Sequence, residues 1–193
     1  MDTWLAGILG GFGASIAASI VFLVLLSALR PRIRIAPTIA KTPTASGEHD
    51  YRIKFINCSR RSCVDLTIRA FIVREWKVPA TDHETGVVRA LHALDVNRAG
   101  VYVPGRRRKD NQNRHAQRVK VSSEHIDAWV DSDQTKYMLV RIVARDGVSG
   151  FPKAFEQKFE LSSQVQVGTF RTGDSLEVTE WTAAPKKSAE TPN

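Results

Sequence analysis

The sequence has few of the residues that most often carry chemistry. It contains only two cysteines and five histidines, and the histidines lie in separate segments. A structural zinc site needs four ligands, usually as two close pairs, whereas Cys58 and Cys63 supply one pair. No His-Glu-x-x-His, Gly-x-Ser-x-Gly or phosphate-binding glycine loop occurs beyond the first 30 residues. We therefore expect no catalytic residue, metal or cofactor, and a binding protein rather than an enzyme.

The two cysteines flank the tetrapeptide Ser-Arg-Arg-Ser. Arg60 and Arg61 are positioned to lower the pKa of a neighbouring thiol, which favours a reactive cysteine. The simpler interpretation is a pair of small residues on either side of a turn. Asn57-Cys58-Ser59 also fits a glycosylation sequon, which matters only if the segment leaves the cytoplasm.

Charged residues are absent from residues 5–29. At about 1.5 Å rise per residue, a helix of this length reaches roughly 37 Å and exceeds a hydrocarbon core of about 30 Å. We predict one transmembrane helix over about 5–29, within an anchor formed by residues 1–30. A cleaved secretory signal is the alternative, but it requires a basic start and a shorter apolar core, and here the start carries only Asp2.

Basic residues follow the apolar run at once, as Arg30, Arg32 and Arg34. Because basic flanks stay on the cytoplasmic side, we predict a single-pass protein of the inner (plasma) membrane with its N-terminus outside. The domain that follows would be cytoplasmic.

Small residues recur every fourth position in the apolar run, at Gly7, Gly11, Ser15 and Ser19. This spacing lets two helix backbones approach closely in lipid, so it favours a homo-oligomer or a partner membrane protein. The alternative is that small residues are simply common in transmembrane helices.

Beyond residue 30, alternation of apolar and polar residues dominates the sequence. It predicts strands at 33–35, 51–55, 64–76, 87–96, 117–121, 137–144, 154–161 and 175–181, with one short helix within 122–130. Residues 36–48 are predicted to be a loop or flexible connector. Turn signals separate the strands at intervals typical of an antiparallel β-sandwich of immunoglobulin-like type, and a small β-barrel is the alternative. We assign residues 31–182 to this all-β domain and 183–193 to a disordered tail.

The positive charge of the domain is concentrated in one segment. All 28 Lys and Arg residues, but only 19 of the 20 acidic residues, lie from Arg30 onward, which gives the domain a net charge of +9. Residues 106–120 hold a single acid, Asp110, and seven cations: Arg106, Arg107, Arg108, Lys109, Arg114, Arg118 and Lys120. Pro104 and Gly105 precede them, so we predict an exposed basic loop.

Three ligands or states fit such a loop. The first is anionic lipid headgroups or an acidic partner protein, which its charge would attract. The second is nucleic acid or a nucleotide, which would bind the same cations. The third is a solvated surface loop that binds no ligand. We favour a membrane-anchored binding or assembly module whose basic loop contacts anionic lipid or an acidic partner. The alternative is a sensor or effector subunit that binds an anionic nucleotide or nucleic acid and alters the packing of its transmembrane helix.

Overall fold

The computed structural model describes residues 2–44, 48–79, 85–97, 101–105, 114–122, 126–130 and 136–180. Its N-terminal element is the helix α1, Asp2–Ala28, of 27 residues. The helix ends before Pro31, where the Leu29 N–H still donates to the carbonyls of Leu25 and Leu26 at 3.1 Å. Pro31 lacks an N–H and therefore favours termination here.

No helix among the described residues is both long and apolar enough to cross a membrane.

The described side chains of α1 are almost all exposed. A Cβ built on Gly7 or Gly11 would meet no atom within 4 Å. Ser15 and Ser19 are exposed as well, and the Ser19 hydroxyl donates to the Ser15 carbonyl at 2.9 Å, so it remains within its own helix. The small-residue row is thus exposed along the described part of α1.

Eleven strands and one further helix follow α1 in the described part of the chain. The strands are β1 Ile33–Ile35, β2 Ile39–Pro43, β3 His49–Asn57, β4 Cys63–Pro79, β5 Thr85–Val96, β6 Val101–Val103, β7 Ala116–Ser122, β8 Lys136–Asp146, β9 Pro152–Glu160, β10 Val165–Phe170 and β11 Val178–Glu180. The helix α2 covers Ile126–Val130, between β7 and β8. The all-β prediction is confirmed, and each of the eight predicted strands overlaps an observed one.

The strands form one hydrogen-bonded sheet in the order β11-β10-β2-β3-β7-β5-β4-β8-β9, with β1 beside β3 and β6 beside β4. One pairing, β10 with β2, is parallel and aligns Val165 with Ile39. The prediction of a purely antiparallel sheet is therefore wrong at this position. The described pairings elsewhere in the sheet are antiparallel.

The larger of two buried clusters draws residues from both halves of this sheet, and Ala36, Ala40 and Phe170 form the smaller one. Among the described residues, strands β5 and β7 share two residue pairs. Tyr51, Ile53 and Phe55 of β3 belong to the same buried cluster as Met138 and Ile142 of β8. Since these residues come from opposite sides of the β5–β7 junction, the sheet curves around a shared interior.

The prediction of a loop or flexible connector over residues 36–48 is wrong, because this segment contains strand β2. Ile39 and Ala40 are fully buried and Thr42 is 6 % exposed. Strand β2 lies between β3 and β10, so both its edges are covered. Ile39 and Ala40 point to opposite faces of the sheet and both are buried, so both faces are covered as well. A strand covered on both faces has no apolar–polar alternation, which is why the pattern does not predict it.

Candidate anion-binding site

The connection between β3 and β4 lies against the chain that leaves α1. The Cys58 N–H donates to the Arg32 carbonyl at 2.7 Å, and Ile33 pairs with Asn57. The connecting residues, 58–62, carry Arg60 and Arg61. We call this part of the domain, next to the last turn of α1, the exit end.

Asn57 organises the exit end from a fully buried position. Its side-chain amide N–H group donates to the carbonyls of Arg61 at 2.9 Å, Pro104 at 3.3 Å and Val103 at 3.4 Å. Its side-chain oxygen accepts the Ser59 N–H at 3.0 Å and also a hydrogen bond from the Ser59 hydroxyl. This one side chain therefore fixes the β3–β4 connection and the end of β6 together.

Both described flanks of the basic loop also meet at the exit end. A Cβ on Gly105 would lie 2.2 Å from the Arg60 carbonyl oxygen, so only glycine fits this close backbone approach. At the other flank, the Asn57 N–H donates to the His115 carbonyl at 2.9 Å. Residues 106–113, which include Arg106, Arg107, Arg108 and Lys109, lie outside the described residues, but the chain enters and leaves them beside the β3–β4 connection.

Four arginines line one pocket at this end, of about 390 Å³. They are Arg30 and Arg32 from the exit of α1 and Arg60 and Arg61 from the β3–β4 connection. Arg30, Arg32 and Arg60 are exposed, and the Arg61 side chain is about one-third exposed. Because guanidinium groups present forked donors that match carboxylate and phosphate oxygens, the pocket is suited to an anion. We call it the arginine pocket.

The acidic residue of the arginine pocket is Asp146, whose side chain is almost fully buried. One of its oxygens accepts the N–H groups of Val148 at 3.0 Å and Ser149 at 2.8 Å. The other lies 3.9 Å from Arg61 Nε. Asp146 therefore holds the following turn and orients Arg61, while four guanidinium groups face one carboxylate.

Exposed apolar residues adjoin the arginine pocket. The Gly147 N–H donates to the Ser62 carbonyl at 2.9 Å, which holds the β8–β9 turn against the β3–β4 connection. In and beside that turn, Val148 is 75 % exposed and Phe151 is 40 % exposed. Tyr102, 52 % exposed, is hydrogen-bonded through its hydroxyl to Ser62 at 2.8 Å. The exit end thus combines cations with apolar side chains.

The remaining cations of the predicted basic loop lie elsewhere. Arg114 is exposed at the start of the described turn, whereas Arg118 and Lys120 belong to β7 and not to a loop. The exposed-loop prediction therefore fails from residue 116 onward, because Val119 and Val121 are buried and hold this stretch in the sheet.

On β7 these cations face the cations of β3 directly. Arg118 pairs with Lys54 and Lys120 pairs with Arg52, an arrangement that disfavours strand pairing. Asp50 compensates at one end, with ion pairs to Lys120 at 2.6 Å and to Arg52 at 3.0 Å. These two cations hold the pKa of the Asp50 carboxyl below its usual value.

Lys54 itself is 1 % exposed and donates to the carbonyls of Arg171 at 2.5 Å and Ser175 at 2.6 Å. Burial lowers its pKa, and the nearby charge of Arg118 lowers it further. Arg34 lines a separate pocket with Asp174 and Glu177, away from Arg30 and Arg32. The three predicted juxtamembrane arginines are therefore divided between two places.

Cys63 does not fit the prediction of an arginine-activated thiol. Both cysteines are free, Cys58 is half-buried, and Cys63 is fully buried. Burial raises the pKa of Cys63 to about 11, so the neutral thiol is favoured. The two residues do flank a connection, but it joins strands that pair with different partners and is not a hairpin.

Sequence reasoning placed Arg60 and Arg61 in a cysteine motif and missed their role beside Arg30 and Arg32. The sequence signal that could have indicated this role is the adjacent pair of arginines shortly after a predicted strand. No protein-family model matches this chain, and no curated protein matches it either.

Proposed function

We propose that this protein is a membrane-anchored binding and assembly module that holds its β domain on the anionic inner face of the membrane through the exit end. The observation that carries the proposal is the meeting of two basic segments, and of the flanks of a third, at one end of the domain. Arg30 and Arg32 line one pocket with Arg60, Arg61 and Ala28 of the last turn of α1. The flanks of residues 106–113 contact the β3–β4 connection and Asn57.

The proposal takes α1 as a single transmembrane helix, although no described helix qualifies as a span. Its support is the sequence, in which residues 5–29 carry no charge. Three apolar members of that run, Leu5, Ala6 and Leu9, have side chains outside those described. The exposed apolar side chains farther along, from Ile16 to Leu25, would be costly in water and favourable in lipid.

The basic flank supports the proposed orientation. Arg30 and Arg32 follow the helix and are exposed, and exposed basic flanks remain in the cytoplasm. The β domain would then face the leaflet that carries anionic lipids, where each nearby Lys or Arg adds about 1 kcal/mol of attraction.

We also propose that the curved sheet is an immunoglobulin-like sandwich rather than a closed barrel. Two observations support it: the β5–β7 junction, with two residue pairs among the described residues, and one buried cluster shared by β3 and β8. A sandwich of this kind leaves its connections clustered at two ends, which suits a module that binds through one end.

The orientation is tested by a reporter fused after Asn193 in the full chain. A reporter that works only in the cytoplasm should be active, and one that works only in the periplasm should be silent. The reason is that Arg30 and Arg32 keep the C-terminal side of the helix in the cytoplasm. An active periplasmic reporter would contradict the proposed membrane face.

Lipid contact is tested by amide exchange of the full chain in nanodiscs. In discs with anionic lipid, exchange at residues 58–62 and 101–105 should be slower than in neutral discs, and high salt should remove the difference because the attraction is screened. Replacing Arg106, Arg107, Arg108 and Lys109 by Gln should reduce the protection without changing the melting temperature, since the sequence predicts that these charges are exposed and exposed charges contribute little to stability.

The paired residues 77–79 of β4 and 85–87 of β5 provide the internal control, because they lie at the end of β4 away from Cys63 and their exchange should not respond to lipid charge. Equal exchange at the exit end in both kinds of disc would reject lipid contact. If protection instead requires added nucleotide or nucleic acid, the sensor or effector alternative replaces it.

A further inference from the structure

The arginine pocket has features that a general electrostatic attraction to a leaflet does not require. Its four cations come from two segments that are far apart in sequence, and Asn57 fixes the connection that carries two of them. The backbone that carries the side chains of Arg60 and Arg61 is therefore fixed before a ligand binds. Preformed cations bind a ligand with less loss of conformational entropy than mobile ones.

We propose that the arginine pocket is a stoichiometric site for one phosphate-bearing lipid headgroup. This rests on the proposed function, because it assumes that the exit end faces the bilayer. The shared chemistry is a phosphate group, which a phospholipid or a free phosphate ester equally supplies, and the apolar surroundings favour the lipid.

Charge and geometry define the phosphate part. All four cations are arginines, whose planar forks donate two parallel hydrogen bonds to phosphate oxygens, whereas lysine acts as a point charge. Asp146 does not cancel this charge. One of its oxygens accepts the Val148 and Ser149 N–H groups, and the other lies 3.9 Å from Arg61 Nε, so one carboxylate stands against four guanidinium groups.

The size of the pocket suits a headgroup. A volume of about 390 Å³ lies within the usual range for small-molecule sites, about 300–1,000 Å³. Ala28, in the last turn of α1, lines the same pocket as Arg60. A phosphate bound there would therefore lie at the depth where the helix leaves the hydrocarbon core.

The lipid part rests on Val148 and Phe151. Both are exposed apolar residues in or beside the turn that Asp146 holds, and that turn is hydrogen-bonded to Ser62 of the β3–β4 connection. Exposed apolar side chains beside a cationic pocket are expected at a membrane interface, where acyl chains cover them. A free phosphate ester would leave them in water.

The test uses the full chain in neutral detergent and native mass spectrometry to count bound lipid. The probes are phosphatidic acid, phosphatidylserine, glycerol 3-phosphate and inorganic phosphate. The wild-type chain should retain one phosphatidic acid, and the double variant Arg60→Gln/Arg61→Gln should bind it roughly tenfold more weakly or worse, because several charge-assisted hydrogen bonds are lost.

The matched control is Arg69→Gln/Lys77→Gln, which removes the same charge from exposed positions on β4. It should retain the lipid as wild type does. If both double variants bind phosphatidic acid equally weakly, the arginine pocket is not a specific lipid site and only general electrostatic attraction to anionic lipid remains. The proposed function would still stand in that case. Failure of the nanodisc experiment would instead remove the proposed function itself.

A second variant keeps the proposal testable if the arginine variant unfolds. Val148→Ser/Phe151→Ser retains all four arginines and should lose the preference for phosphatidic acid over glycerol 3-phosphate. Phosphatidylserine, whose headgroup also bears a phosphate, should be retained as well. Wild-type binding of glycerol 3-phosphate or inorganic phosphate as tight as that of phosphatidic acid would reject a lipid ligand.

Discussion

At the scale of single residues, Asn57 determines more of the exit end than any arginine does. Its side chain bonds both to the β3–β4 connection and to the end of β6. Sequence reasoning treated it as part of a glycosylation sequon. Its complete burial excludes that use in the folded domain, because the amide nitrogen is already engaged and out of reach of solvent.

Asn57→Ala should lower the free energy of unfolding by about 2 kcal/mol, because it leaves buried carbonyl groups without a donor. Chemical denaturation of the full chain, followed by tryptophan fluorescence, measures the change. The exposed Asn97 supplies the control, and Asn97→Ala should cost less than about 0.5 kcal/mol. Equal effects of the two substitutions would show that the side-chain network carries no stability.

At the scale of elements, alternation predicts most of the strands and the interior between them. In β4, Leu66, Ile68, Ala70 and Ile72 are buried at every second position, as the pattern requires. Three strands were missed. Strand β2 is covered on both faces. Strand β6 is Val-Tyr-Val, which has no apolar–polar alternation, and β10 is interrupted by Gly168.

The site was less predictable than the strands. The pattern identified cations within 106–120 but not where they divide between a loop and β7. The meeting of Arg32 with the β3–β4 connection depends on a backbone hydrogen bond across 26 positions, which no local pattern encodes.

The pairing of β3 with β7 is expected to be sensitive to acid. Asp50 separates Arg52 from Lys120, and these cations lower its folded-state pKa below the usual 3.8. A carboxyl with a depressed folded-state pKa stabilises the fold fully above its unfolded pKa, and this contribution is lost as the pH falls through the folded one.

The unfolding free energy of the wild type should therefore fall more steeply between about pH 4 and pH 2 than that of Asp50→Asn. Urea unfolding at a series of pH values measures both slopes. Asp95→Asn, at an exposed position of β5, should retain the wild-type slope. Parallel curves for wild type and Asp50→Asn would show that the like-charged pairs are compensated by other groups.

At the scale of the whole molecule, α1 presents its small-residue row without a partner from the described domain. Gly7 and Gly11 have open space around them, and Ser15 and Ser19 lie exposed on the same row. Self-association in lipid would bring two such rows together, since small residues allow close backbone approach.

Replacing Gly7 and Gly11 by Leu should weaken self-association of the full chain in a membrane two-hybrid assay. The matched control is Gly13→Leu, the same substitution roughly 200° around the helix from Gly11, which should leave the signal unchanged. A signal that survives the double substitution would assign oligomer formation to another surface or to a partner protein.

The length of β4 sets a physical distance between the arginine pocket and the other end of the domain. The strand begins at Cys63, beside the arginine pocket, and continues for 17 residues to Pro79. At about 3.3 Å per residue it extends about 50 Å, many times the Debye length of about 8 Å in physiological salt. If the exit end rests on lipid, the exposed Trp76 and Val88 near the other end lie far outside the field of the headgroups.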